Sequence, residues 1–143
     1  MAIVTTVPNH FKYLLATKAV DMANDTFKII LMNTTFAFDK DSHATLADVT
    51  ADQLATGNGY TQDSKTLSGV TVTENDTTDK ATSVWSDVTW TASGGAIGPT
   101  GAAIVYDDTV SGDPVMMCID FGADYTTADG FSFQIQTPEL DIV

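Results

Sequence analysis

The sequence contains no arginine, and lysine supplies all six of its cationic side chains against 19 carboxylates, a net charge of −13. Nucleic-acid binders neutralise phosphates with Lys and Arg and read guanine chiefly with Arg. A chain with no Arg and a large negative field is unsuited to either task. Anionic membranes are disfavoured partners on the same ground. Cysteine is nearly absent as well. The single Cys118 excludes an intrachain disulfide and any Cys-rich zinc site. It lies inside an apolar stretch, where a buried, inert thiol is expected rather than a nucleophile. No apolar run approaches the roughly 18 to 20 residues needed to cross a bilayer. The first twenty residues lack a basic segment followed by an uninterrupted apolar block, so no secretory signal is expected and the chain should fold in the cytoplasm of the cell that makes it. Glutamate is scarce too, with 2 Glu against 17 Asp. Asp favours turns and caps, whereas Glu favours helix interiors.

What is present points to β structure. Threonine occurs 23 times, and β-branched residues suit strands. At 143 residues with 43% hydrophobic content, one domain spanning 1–143 is the expectation. Segments 1–8 and 138–143 could serve as extended arms. The organising stretch is Gly101–Gly122, two apolar strands joined by a polar Gly/Pro turn. Period two puts Val115, Met117, Ile119 and Phe121 on one face and Met116, Cys118 and Asp120 on the other. That second face, taken with Ala103 and Val105, needs a cover. The first candidates are an N-terminal helix bearing Phe11, Leu14 and Leu15, and then a sister subunit.

The remaining elements follow in order. Asn9 is a candidate N-cap for a helix over His10–Ala19. Thr26–Asn33 reads as a strand. Asp41 or Ser42 could cap a helical turn over His43–Asp48. Lys65–Thr73 is strand-like with an irregularity at Gly69. Lys80–Trp85 and Val88–Ala92 are short strands on either side of Ser86–Asp87. Trp85 and Trp90 would face opposite sides of a continuous strand and the same side only across a bend. Phe131–Thr137 is amphipathic, with Phe131, Phe133 and Ile135 inward. The sum is a mainly β chain, a β-sandwich of jelly-roll or Greek-key type with about eight strands and one short N-terminal helix.

No catalytic, cofactor-binding or metal-binding residues are assigned. His43 sits near Asp39 and Asp41 without a second histidine or Cys pair at ligand spacing, and reads as a loop histidine. His10 belongs to the first helical turn. The segment SGGAIGPTG lacks the Gly-Lys-Ser/Thr ending of a phosphate loop. The carboxylate pairs Asp107–Asp108, Asp76/Asp79, Asp39/Asp41 and Asp124/Asp129 all fall in predicted turns, where Asp is expected for backbone reasons. None fits an EF-hand loop. Tyr60, Trp85, Trp90, Tyr106 and Tyr125 could line a carbohydrate or protein contact, but core packing is the simpler role.

Taken in order, HFKYLLATKAVDMANDTFKIILMN, FDKDSHATLADV, GNGYTQDSKTLSGVTVT, SDVTWTAS, GAAIVYDD, PVMMCIDFG and FSFQIQ resemble a family of small virion structural proteins of tailed bacteriophages. The resemblance spans about residues 9–137. It implies a non-enzymatic capsid decoration, or cement, protein. Such a protein would be made in the host cytoplasm and carried on the capsid surface of the virion. It would sit as a homotrimer against the major capsid protein, with no cofactor, nucleic acid or membrane involved. The alternative within the same class is a tail or baseplate accessory subunit, or a glycan-binding receptor knob.

Overall fold

The structure is a computed structural model and describes residues 3–143. It contains nine strands, one α-helix and two 3₁₀ turns. The strands are β1 (Val4–Thr6), β2 (Phe27–Met32), β3 (Thr71–Asn75), β4 (Lys80–Val84), β5 (Val88–Thr91), β6 (Ile97–Asp107), β7 (Val115–Thr127), β8 (Ser132–Ile135) and β9 (Glu139–Ile142). They form three antiparallel sheets in the orders β1-β7-β6-β2, β3-β4-β9 and β5-β8. This is a mainly β architecture consistent with a sandwich. The four-stranded sheet is one layer, and the two smaller sheets contribute the layer facing it. No described helix is long and apolar enough to cross a membrane.

The main core lies between the layers. Phe27, Ile29 and Leu31 of β2, Ala103 and Val105 of β6, and Met117, Ile119 and Phe121 of β7 meet Trp85, Val88, Trp90, Ala92 and Leu140. Phe27 and Trp85 make an edge-to-face pair at 5.5 Å between centroids, a geometry favoured by the ring quadrupoles. The strand run breaks at the exposed Ser86–Asp87, which allows both tryptophans into this one core. β4 and β5 consequently join different sheets.

Two expectations about the long hairpin are corrected. Antiparallel partners share a face, and the register pairs Ala103 with Ile119 and Val105 with Met117. Ala103 and Val105 therefore lie with Met117 and Ile119, not with Cys118. The register then shifts between Val105 and Tyr106, which pairs with Val115. Met116 is the extra residue of a bulge. It turns into the main core, and Val115 turns to the opposite face with Ala102, Ile104, Tyr106 and Cys118.

The cover of that opposite face is likewise not the helix. It is the segment after β2, which lays Phe36, Phe38, Leu46 and Val49 over Ile30, Met32, Ile104 and Cys118. The helix packs Phe11, Leu14 and Leu15 on the main core instead.

The helix α1 (Asn9–Ala16) begins one residue earlier than expected and ends three earlier. Pro8 is the N-cap, and Asn9 is the first helical residue. The Asn9 backbone N–H donates to the Lys40 carbonyl at 3.0 Å, and its side-chain amide donates to Asp41. Asn9 ties the helix to the covering segment rather than capping it. Lys18 adopts a left-handed conformation (φ 61°), so the helix cannot continue to Ala19. In the covering segment Thr45, rather than Asp41 or Ser42, caps a 3₁₀ turn over Leu46–Asp48, with Asp48 completing a reciprocal capping box.

Lys65–Thr73 is not one strand. Lys65 and Leu67 bond to the free side of β2, through Ile29 N–H to Lys65 C=O (2.9 Å) and Leu67 N–H to Phe27 C=O (2.8 Å). The chain breaks at Gly69 (φ 66°) before β3. Phe131 is not an inward residue: it precedes β8 in a turn and is 69% exposed. The terminal segments both form strands within the chain, β1 against β7 and β9 against β4.

Candidate interaction groove

In the carboxylate pairs seen in the sequence, Asp39, Asp107 and Asp129 accept backbone N–H groups, whereas Asp41 and Asp108 meet side chains. Asp39 accepts the Asp41 N–H and the Ser42 hydroxyl, which holds it below the usual carboxylate range. Asp48 accepts the N–H groups of Thr45 and Ala44 and the Thr45 hydroxyl, with the same effect. Asp129 accepts the Gly94 N–H, Asp120 the Gly122 N–H, and Asp108 pairs with Lys28 at 3.1 Å. Asp76 and Asp79 lie in the β3–β4 turn, where Asp79 has φ 52°. His43 is stacked beside Phe36 and near Phe38, and its Nδ1 accepts the Asp39 N–H at 3.1 Å. Among the described residues no three His, Cys, Asp or Glu side chains converge to hold a metal ion. Cys118 is buried, and burial with the nearby Asp120 charge pushes its thiol up to about 12, which disfavours the nucleophilic thiolate.

One carboxylate association joins residues distant in sequence. Asp107 ends β6 fully buried. Its Oδ1 accepts the N–H groups of Thr109 (2.8 Å) and Val110 (3.2 Å), while its Oδ2 has no partner. Burial raises its carboxyl to about 6, the two backbone donors oppose that shift, and the neighbouring Asp25 adds to it. No local pattern reveals this association, because 82 residues separate the two.

Of the five aromatics singled out in the sequence, Tyr60, Trp85, Trp90 and Tyr106 are core residues, each 1–3% exposed. The Tyr60 hydroxyl accepts hydrogen bonds from the Leu31 N–H and the Gln53 amide, both at 3.0 Å, and so positions β2. Tyr125 alone is at the surface, 48% exposed. It belongs to a stretch of β7 where the register with β6 slips: Ala102 pairs with Asp120, and Thr100 with Tyr125. Two residues on β6 thus span five on β7, and the excess bows β7 outward. An added side chain at Gly101 would meet first the exposed, rotatable Asp124 carboxylate. A Cβ there would lie 2.9 Å from the Asp124 carboxylate.

The bowed strand forms one wall of a groove of about 700 Å³. Phe121, Tyr125 and Phe133 make its aromatic floor, with pairwise centroid separations of 5.5–6.2 Å. Ile3 and Thr5 close one side. The segment from Gln134 to Glu139 closes the other and carries two amides and one carboxylate. Trp90 backs Phe133 from inside at 6.1 Å, so the floor is anchored in the core. The groove joins three stretches distant in sequence, around Ile3–Thr5, Ile119–Tyr125 and Phe133–Glu139, and the alternation in FSFQIQ marks Phe133 only as an inward residue. An apolar, partly open surface held by rigid strands suits non-covalent recognition. Comparison of the chain with protein-family models, with curated proteins and with solved structures gives no match to any of them.

Proposed function

We propose that this protein is a non-enzymatic structural protein of a phage virion, a decoration subunit that stabilises the head through protein–protein contacts. The resemblance over about residues 9–137 supports the phage assignment. The observation that carries the contact role is the aromatic groove at the open end of the four-stranded sheet, flanked by the exposed Ile3. Exposed aromatic and aliphatic side chains backed by core are the usual composition of an interface centre. In this reading the partner is the major capsid protein, the subunit is a homotrimer on the capsid surface, and the acidic charge keeps free subunits soluble before assembly.

A tail, baseplate or receptor-knob role is the second reading. Tyr125 beside the Gln134 and Gln136 amides favours it, because an aromatic face with neighbouring amides can also bind a sugar. The deciding experiment compares thermal genome release from particles with and without the protein, together with its position in a reconstruction of the particle. Decoration predicts density on the head and a higher release temperature when the protein is present. Density confined to the tail, or an unchanged release temperature, rejects decoration. Selective glycan-array binding that is lost in Tyr125→Ala would establish the knob.

A further inference from the structure

We infer that the groove beside β1 accepts an extended segment of another polypeptide, added as a further strand along β1, with apolar side chains turned into the groove and Lys or Arg at its flanks. The inference rests on the reading of this groove as a protein contact and specifies the chemistry of its occupant.

The two ends of the four-stranded sheet are treated differently. At the β2 end the chain closes its own edge. Lys65 and Leu67 bond to Ile29 and Phe27, and Leu54 and Asp52 bond to Leu31 and Asn33 at 2.8–2.9 Å. At the β1 end no described strand pairs beyond Val4–Thr6. An unpaired edge is a template for another strand. Here the edge borders a groove, and side chains on a strand alternate with period two. A segment paired along β1 would thus place every second side chain on the face that Ile3 and Thr5 share with the groove, opposite the Gln134–Glu139 wall. This is strand addition, in which main-chain bonds supply affinity and pockets for alternate side chains supply selectivity. Exposures of 67% for Ile3 and 48% for Tyr125 leave that surface open among the described residues.

Charge selects the occupant. None of the six lysines lines the groove. Glu139 stands at one rim and is in no salt bridge among the described residues. The whole chain carries −13. A second copy would bring the same charge against this rim, and a neutral glycan would leave the charge uncompensated. A segment with basic flanks complements it and gains in association rate as well.

The test titrates the full chain with a synthetic peptide, Lys-Lys-Val-Thr-Val-Thr-Val-Lys-Lys, using calorimetry and backbone amide shifts. A Glu-flanked counterpart and a version with two central prolines serve as controls. Saturable binding is expected, with the largest shifts over Val4–Thr6 and Phe121–Tyr125. The proline version should not bind, because it cannot complete the ladder. The Glu-flanked peptide should bind about tenfold more weakly at low salt. Raising NaCl from about 50 to about 500 mM should weaken the basic peptide severalfold, and Glu139→Gln should reduce that salt dependence. Tyr125→Ala should weaken binding about tenfold, as loss of an aromatic anchor does. Absence of saturable binding overturns the inference. So does equal binding of the acidic or proline peptide, competition by a neutral oligosaccharide, or a dimer that Tyr125→Ala abolishes. Particle decoration by Tyr125→Ala separates this inference from the capsid role. Lost peptide binding with decoration retained leaves the strand acceptor standing and moves the capsid contact elsewhere. Peptide failure with Tyr125-dependent decoration overturns strand addition and leaves the capsid role intact.

Discussion

Asp107 sets the pH response that a single residue can be expected to give this fold. Its carboxyl is fully buried with one oxygen unpartnered, so the charged form is disfavoured in the native state and the group titrates near 6 instead of 3.8. Between those values the native state holds a proton that the unfolded chain has released, so stability must fall as pH rises. The contribution is complete below 3.8 and is lost once pH passes about 6. A shift of this size corresponds to about 2–3 kcal/mol. Asp21, Asp39, Asp48 and Asp141 act in the opposite sense. Hydrogen bonds lower all four, so their contribution is present above the ordinary carboxylate range and is lost as pH falls through their native values. The variant Asp107→Asn isolates the buried group. Measured by urea unfolding, its stability relative to wild type should be near zero at about pH 4 and rise by about 2–3 kcal/mol by about pH 7. A difference that stays constant with pH would show that Asp107 does not carry the effect. The turn role of Asp39 was legible in the sequence, because a polar Asp39/Asp41 pair has a local backbone reason to be there, whereas Asp141 lies in β9 and gains its partners Lys80 and Thr82 only across strands. The burial of Asp107 was not legible. It depends on Asp25 and on the strand end against which the chain folds back.

Individual strands could be read from alternation, but the faces they present depend on register. The hairpin shows why. Period two places Val115 and Met117 together, and one bulged residue at Met116 moves Val115 to the other face. The need for a cover over that face was readable, because both faces are apolar. Its identity was not. Phe36, Phe38, Leu46 and Val49 come from a stretch with acidic clusters and no long periodic pattern, and they reach the sheet through turns rather than through a helix. The terminal element makes a test at this scale. Leu140 is 1% exposed and belongs to the main core, whereas Ile142, two residues on, is 39% exposed. Leu140→Ala should cost about 2–5 kcal/mol, the range for truncating a buried aliphatic side chain. Ile142→Ala should cost clearly less, since 39% of Ile142 stays in water. Equal and small effects in denaturant melts would mean that the last strand is not part of the cooperative fold.

At the scale of the whole molecule, charge constrains assembly more than any one contact does. Each chain carries −13, so bringing three together in a homotrimer concentrates like charge, and the repulsion is long-range at low ionic strength. Salt screens it, with a Debye length of about 10 Å at 0.1 M. Self-association should therefore strengthen as salt rises. Docking of a basic-flanked segment in the groove is an attraction between opposite charges, and screening should weaken it. The two interactions proposed for this protein thus have opposite salt dependences, although both bury apolar surface. Sedimentation equilibrium of the free protein should show the trimer population rising between about 20 and about 300 mM NaCl. Over the same range, binding of the basic peptide should lose affinity. Glu139→Gln separates the two further. Removing one carboxylate at the groove rim should flatten the salt response of peptide binding, while changing the net charge of the trimer by only three units and leaving its salt response nearly intact. A trimer that dissociates on adding salt would mean that its interface is held by ion pairs. That result would be hard to reconcile with six lysines, three of them already engaged with Asp108, Asp41 and Asp141 of their own chain.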